Sequence, residues 1–313
     1  MVGTVVVVCG PTASGKTALA VELALRLNGE VVSADSMQLY RGLDIGTAKP
    51  TRDEMRGVPH HMLDVADPAE DWSVARYVAE AVPVVDGILA RGKLPILAGG
   101  TGLYLDALIA GRTFAPFPAD TGLRQALERR AGTEGLAPLY AELERADPAA
   151  AARVHPNDAK RIIRALEVCA ATGETITAHN ERTRALPPRY GAVKVGLRFA
   201  DRGDMWKKID ARVDEMFARG LVEEVRGLME TLPPNCTAMQ AIGYKELAAA
   251  LREGRSPEEA GAEIKLRTRQ YAKRQLTWFR RDSSIGWYEW GQTPNISDAL
   301  LFSTEFLRTH GIG

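Results

Sequence analysis

Eight residues, Gly10-Pro11-Thr12-Ala13-Ser14-Gly15-Lys16-Thr17, stand between an apolar run, Val5 to Cys9, and a helical pattern from Ala18 to Leu27. A G-x-x-x-x-G-K-[ST] segment in that strand-loop-helix setting is a phosphate-binding loop, and the complete motif argues against a chance glycine-rich turn. Its glycines let the backbone curl until successive N–H groups converge on phosphate oxygens, and the following helix adds the positive end of its dipole. Lys16 would then reach a terminal phosphate, and the Thr17 hydroxyl would hold Mg²⁺. The loop does not say which diphosphate it serves.

The rest of the chain alternates in a way that suits such a loop. Val5–Cys9, Glu30–Ser33, His60–Val65, Leu94–Ala98 and Val193–Phe199 read as strands, with helical or loop segments of crossover length between the first four. That alternation predicts an α/β fold, a P-loop-type parallel sheet flanked by helices. Val74 to Leu89 reads as a helix capped by Ser73, and Pro83 within it predicts a kink or a break. From Arg112 to Ala192 the sequence turns rich in Ala, Glu and Arg, with turn signals at Pro116, Pro118, Pro148, Pro156 and Pro187-Pro188. This stretch reads as a helical insertion, which makes residues 1–111 and 193–313 the core and 112–192 the inserted domain. Beyond Phe199 the chain is expected to be mostly helical, with a long helix opening at Ser256-Pro257-Glu258-Glu259.

Composition narrows the function classes. The 313 residues carry 40 Lys and Arg against 40 Asp and Glu, so nucleic-acid binding would need local clustering of charge. No run approaches the roughly 20 apolar residues of a membrane span. The first strand begins almost at Met1, so no secretory signal is expected. Cys9, Cys169 and Cys236 lie far apart with no C-x-x-C pair, which fits a reducing cytoplasm and excludes a zinc module of ordinary spacing. Local charge clustering does occur on the long helix. From Ile264 to Arg281 it carries Lys265, Arg267, Arg269, Lys273, Arg274, Arg280 and Arg281 and no acidic residue. They flank a stripe of Ile264, Tyr271, Trp278 and Phe279, as solvated shoulders of a core-facing helix or as a surface for a polyanion.

Asp35 sits just past the second strand, where ligands bind in open α/β sheets. It is a candidate general base, and a second-shell Mg²⁺ ligand is the competing reading. The Leu94–Ala98 strand ends in glycine, so the second acidic motif of nucleotide-driven motors is missing. Adjacent His60 and His61 on a strand point to opposite faces, which argues against a metal site.

Six blocks together carry a family resemblance: Gly10–Thr17; Ser33–Tyr40 continuing to Pro50; Gly99–Tyr104; Arg161–Val168; Gln240–Glu246; and Thr268–Gln275. In this order they resemble the tRNA dimethylallyltransferases of bacterial type. The resemblance implies transfer of the dimethylallyl group of dimethylallyl diphosphate to the N6 amine of the adenosine 3′ of the anticodon. It implies Mg²⁺ as cofactor, a tRNA anticodon stem-loop as partner, a cytoplasmic setting and a monomer. It makes Asp35 the base, Lys16 and Arg212 holders of the diphosphate, and Thr101 a contact at the reacting centre. Asp35, Ser36, Met37 and Gln38 resemble the segment that receives the adenosine, which must leave its stack to react. Gln38 has the amide an adenine edge favours. Lys160, Arg161, Ile162, Ile163 and Arg164, and Gln240, Ala241, Ile242, Gly243, Tyr244 and Lys245, resemble the other tRNA-contacting segments, with Arg124 a further contact. Plainer readings stay open beside these: Thr101 as a helix cap, Arg212 facing solvent, and Arg161 and Arg164 paired with Asp158 or Glu167.

Two other functions fit parts of the pattern. A small-molecule kinase would use the loop for ATP and Asp35 for Mg²⁺ or an acceptor hydroxyl. A non-catalytic RNA-binding protein would use the basic helix but leave Asp35 and the intact loop unexplained.

Overall fold

The structure, a computed structural model, describes residues 3–112, 114 and 121–313. The turn signals at Pro116 and Pro118 lie outside the described residues. The chain divides into two compact units, Met1–Gly111 with Arg189–Gly313, and Arg112–Pro188.

In chain order the first unit begins with β1 (Thr4–Cys9), α1 (Lys16–Leu27), β2 (Gly29–Ser33), a single turn α2 (Arg52–Met55), β3 (His60–His61), α3 (Val74–Ala90), β4 (Leu94–Gly99) and α4 (Gly102–Ala110). The second unit holds α5 (Thr121–Thr133), α6 (Ala137–Ala146), α7 (Pro148–Ala151), α8 (Ala159–Thr172) and α9 (Ile176–Arg184). The first unit resumes with β5 (Gly191–Phe199), α10 (Arg202–Ala218), α11 (Leu221–Thr231), α12 (Tyr244–Arg252), α13 (Pro257–Phe279), β6 (Ile285–Trp290) and α14 (Ile296–Thr309).

The six strands form one sheet in the order β3-β2-β4-β1-β5-β6, and every neighbouring pair is parallel. β1 is almost pure valine because it is covered on both faces; Val5 to Val8 are at most 1% exposed. It pairs with β4 through Val6↔Ile96 and with β5 through Val6↔Val193. The loop Gly10–Thr17 therefore leaves the sheet between two neighbouring strand ends, the position at which open α/β sheets bind ligands.

The structure departs from the sequence reading in four places. β3 is two residues long, because Met62 and Asp64 adopt left-handed backbone (φ 60° and 55°) and turn the chain out of the sheet. β6 was not expected at all, since Ile285-Gly286-Trp287-Tyr288-Glu289-Trp290 is short and follows a long helix. β5 starts at Gly191, and the inserted unit closes at Pro188 rather than at residue 192. α3 runs on through Pro83, where burial of Tyr77, Val78, Ala81, Val85 and Ile88 outweighs the roughly 3 kcal/mol a mid-helix proline costs. Ser73 caps that helix as expected, accepting from the Arg76 N–H at 3.2 Å.

Every element of the inserted unit among its described residues is a helix, and these pack around a core of their own that includes Leu127, Leu139, Leu143, Ile162 and Ile163. Pro148 opens α7, and Asp147 caps it by accepting from Ala150 N at 2.9 Å while its other oxygen accepts from Thr177 N at 3.0 Å, tying α9 to the same point.

Candidate active site

The loop after β1 is held in a shape few sequences tolerate. Gly10, Ala13 and Gly15 all have positive φ (143°, 62° and 82°). For Ala13 that conformation costs about 1–2 kcal/mol, and its methyl packs against Met205, Ile209 and Ala272. Gly10 and Pro11 are buried behind the cleft, while Thr12, Ala13, Ser14, Gly15, Lys16 and Thr17 line it. Lys16 donates to the Pro11 carbonyl at 2.6 Å. Its burial, and then the Arg212 charge, pull the ammonium pKa down to about 8, with Asp35 opposing. The Ser14 hydroxyl is buried without a partner, an orphan facing an anion loop. The Thr17 hydroxyl, on the first turn of α1, makes no hydrogen bond to a described residue; a free hydroxyl beside a diphosphate loop fits a Mg²⁺ ligand.

Across the cleft stands Asp35, two residues beyond β2. Its Oδ1 accepts from Met37 N at 2.9 Å and Gln38 N at 3.4 Å, which fixes the carboxylate and leaves Oδ2 without a hydrogen bond to a described residue. Arg212 projects from α10 into the same cleft, half-buried, its Nε without a partner. Burial lowers its pKa and the nearby Asp35 charge works against that. A solvent-facing role for Arg212 is thereby set aside. Thr101 occupies the cap position of α4 but makes no cap bond. Its Oγ1 instead accepts from Ser36 N at 3.1 Å, drawing the Gly100-Thr101 turn onto the Asp35 segment. Tyr271, its hydroxyl raised to about 12 mainly by burial, lines the cleft beside Asp35.

Gln38 lines the cleft and also braces the segment around it. Its Nε2 donates to the Thr47 and Ala48 carbonyls, both at 3.2 Å, and its Oε1 accepts from Ser33 Oγ at 3.2 Å. Both N–H bonds of the amide thus hold residues 33–48 together, while Gln38 still lines the cleft and its Oε1 retains a second lone pair. Ser36, Met37, Gln240, Ala241, Ile242 and Gly243 do meet, in one pocket with Asp35 and Arg212.

The other residues expected to contact tRNA differ in exposure and pairing. Tyr244 is 0% exposed and its hydroxyl donates to Glu224, while Lys245 is exposed but does not line the pocket. Ile162 and Ile163 are 0% and 4% exposed in the core of the inserted unit, so their side chains cannot reach RNA. Lys160 and Arg161 are exposed on α8, with Arg161 3.4 Å from Asp158. Arg164 pairs with Glu167 at 3.7 Å, and Arg124 with Glu167 and Glu128 at 3.6 and 3.4 Å. On α13 the basic run is not wholly unopposed. Lys265 meets Asp214, Arg267 meets Glu263, and Arg269 meets Asp210, whereas Lys273, Arg274, Arg280 and Arg281 have no ion pair among the described residues. The buried stripe also shifts: Trp278 is 39% exposed, and Ala272 and Gln275 join Ile264 and Phe279 inside.

Three supporting residues have no role that the sequence motifs state, although Gln275 closes the Thr268–Gln275 block. Gln275 bonds both Thr12 N and the Gly100 carbonyl, at 2.8 and 3.0 Å. Trp290, at the end of β6, donates its indole N–H to the Ser14 carbonyl at 2.9 Å. Glu224 on α11 gathers the N–H groups of Asp44, Ile45 and Gly46 together with the Tyr244 hydroxyl, fixing the strip whose Gly46 and Thr47 line the pocket.

Sheet order and loop geometry define the class: an α/β protein of P-loop type, its cleft built at the carboxyl ends of parallel strands. Residues 38–282 match the IPP transferase family model, and residues 3–71 match one described as isopentenyl transferase. The tRNA dimethylallyltransferase of Geobacter metallireducens is 49% identical over 95% of this chain and 94% of its own, and that of Symbiobacterium thermophilum 49% over 91% and 88%. Among solved structures, the tRNA isopentenylpyrophosphate transferase of Bacillus halodurans superposes with TM-score 0.72 and 41% identity over 98% of each chain. A eukaryotic dimethylallyltransferase caught acting on tRNA gives TM-score 0.83 and 29% identity over 98% of this chain and 80% of that one. The chain belongs to the IPP transferase family.

Proposed function

We infer that this chain transfers the dimethylallyl group from dimethylallyl diphosphate to the N6 amine of the adenosine 3′ of the anticodon in tRNA, releasing diphosphate. The observation that carries the reading is the pairing across one cleft of a diphosphate loop with a carboxylate, Asp35, that keeps one oxygen free. The loop N–H groups, Lys16 and Arg212 would hold the diphosphate and take up the charge that grows on it as the allylic C–O bond breaks. The adenine amine is a weak nucleophile because its lone pair is delocalised into the ring. Its nitrogen forms the new bond to the allylic carbon, the C–O electron pair leaves with the diphosphate, and the surplus amine proton passes to Asp35 Oδ2. Thr101, held by the Ser36 N–H next to Asp35, would stand beside the place where these groups meet. Mg²⁺, when bound at Thr17, would supply further charge neutralisation to the leaving group.

A kinase is not favoured. The relatives that match 91% and 95% of this chain are named tRNA dimethylallyltransferases, and at Gly99, where a Cβ would lie 2.2 Å from the Ala34 carbonyl, the acidic residue of nucleotide-driven motors has no place. No helix among the described residues is long and apolar enough to cross a membrane.

The test is purified protein with unmodified tRNA and either labelled dimethylallyl diphosphate or ATP labelled in its γ-phosphate, followed by nucleoside analysis. Label is expected in an N6-modified adenosine from the first donor alone; transfer from ATP would overturn the reading. Asp35→Ala should lower turnover by about 10²-fold or more, the scale of a positioned base, with stem-loop affinity unchanged. Near-normal turnover in that variant would remove Asp35 from the base role.

A further inference from the structure

We propose that Gln275 is a positioning residue that sets the diphosphate loop and the Thr101 turn in register for transfer. The proposal rests on the reaction just inferred. Gln275 lies on α13 and is 5% exposed. Its Oε1 accepts from Thr12 N at 2.8 Å and its Nε2 donates to the Gly100 carbonyl at 3.0 Å. One rigid carboxamide therefore spans the two segments that flank the reacting atoms: the loop that receives the leaving group, and the turn whose next residue is Thr101. Two consequences follow. The Thr12 N–H is consumed by protein, so the anion must be gathered by the N–H groups after it. The Gly100 carbonyl is fixed relative to the loop, and with it the Thr101 hydroxyl that accepts from Ser36 beside Asp35.

The fit is close. A Cβ at Gly100 would lie 2.1 Å from Gln275 Nε2, so the glycine is what lets the amide reach both partners. A brace that merely holds α13 in place would need only one of these bonds, and any well-packed side chain could replace it.

Gln275→Glu separates the two roles. As a carboxylate the new side chain still accepts from Thr12 N but presents a second acceptor to the Gly100 carbonyl. Protonated, it regains the lost donor and imitates the amide. The titratable groups lining the same cleft, Asp35, Lys16, Arg212, Glu54, Glu215 and Tyr271 among them, are common to both proteins, so their own titrations divide out of the ratio of variant to wild-type kcat. That ratio is expected to fall by about 10- to 100-fold at pH 8, the cost of a small misplacement of reacting groups, and to recover as the pH is lowered. KM for the stem-loop should stay within about twofold, as no tRNA-binding group is altered. Gln275→Ala should show a similar loss whose ratio does not vary with pH. Should Gln275→Glu fail to fold, as thermal unfolding would reveal, Gly100→Ala tests the same link from the other side. It should lower kcat by displacing the amide, and adding Gln275→Ala to it should cost nothing further. A Gln275→Glu ratio near one at pH 8, a ratio flat with pH, or additive losses in the double variant would each overturn the proposal. Wild-type turnover in the same assay distinguishes failure of the reaction reading from failure of this one.

Discussion

Lys16 sits half-buried with its ammonium on the Pro11 carbonyl and a pKa near 8, a cation that is partly neutral in mildly alkaline solution. A diphosphate favours the charged form. Below about pH 8 Lys16 is already protonated and binding needs no proton; above it, binding must take one up, so affinity should fall with rising pH. Titration calorimetry with a non-reactive allylic diphosphate at pH 9, in buffers of different ionisation enthalpy, should show uptake approaching one proton, and much less at pH 7. Equal uptake at both would mean that Lys16 does not meet the anion. Lys16, Thr17 and Asp35 were legible in the sequence because each belongs to a contiguous block whose chemistry depends on spacing. Gln275 closes a recognisable block, but nothing in that block says that its amide reaches the loop 263 residues away; Trp290, 276 residues from Ser14, belongs to no block. Ile162, Ile163 and Tyr244 show the opposite failure: they sit inside recognisable blocks, but as the apolar side chains that hold those blocks in shape.

At the scale of elements, β1, β2, β4 and β5 were legible from aliphatic runs separated by crossover-length segments. β6 was not, since an aromatic run with a glycine takes its strand character from pairing with β5, as in Gly196↔Trp287. The outer half of the sheet also depends on one buried charge. Glu30 on β2, 3% exposed, accepts from Lys93 just before β4, from Arg91 after α3, and meets His61 of β3. Burial alone would raise its pKa, but these three partners win and hold it down to about 2, against 4.5 for a free glutamate. A depressed carboxylate contributes stability above its unfolded pKa and loses it as pH falls toward the folded one. Roughly 3 kcal/mol should therefore disappear between about pH 4.5 and pH 2. Urea unfolding of wild type and Glu30→Gln across that window checks the assignment: the two should differ at pH 6 and converge near pH 2. A constant difference would place the acid sensitivity elsewhere.

For the whole molecule, 40 basic against 40 acidic residues leaves no general attraction for RNA, so tRNA binding has to rest on particular cations. Arg161, whose side chain is 71% exposed and opposed only by Asp158, is the strongest candidate on the inserted unit; Arg274, without an ion pair, is the one beside the pocket. Stem-loop binding should weaken steeply with salt, and replacing either residue by alanine should reduce the log–log slope by about one unit. A flat salt dependence would mean that phosphates are not what these cations meet. The tie between Trp290 and Ser14 bears on something else, the order in which the protein is made. The motif leaves the ribosome near the start of synthesis, yet the indole that props it follows 276 residues later, a delay on the order of tens of seconds at about 5–20 residues per second. For most of its birth the nascent chain carries a loop with its sequence complete and its support absent, and a message broken before codon 290 yields a product that keeps the motif but never acquires that prop.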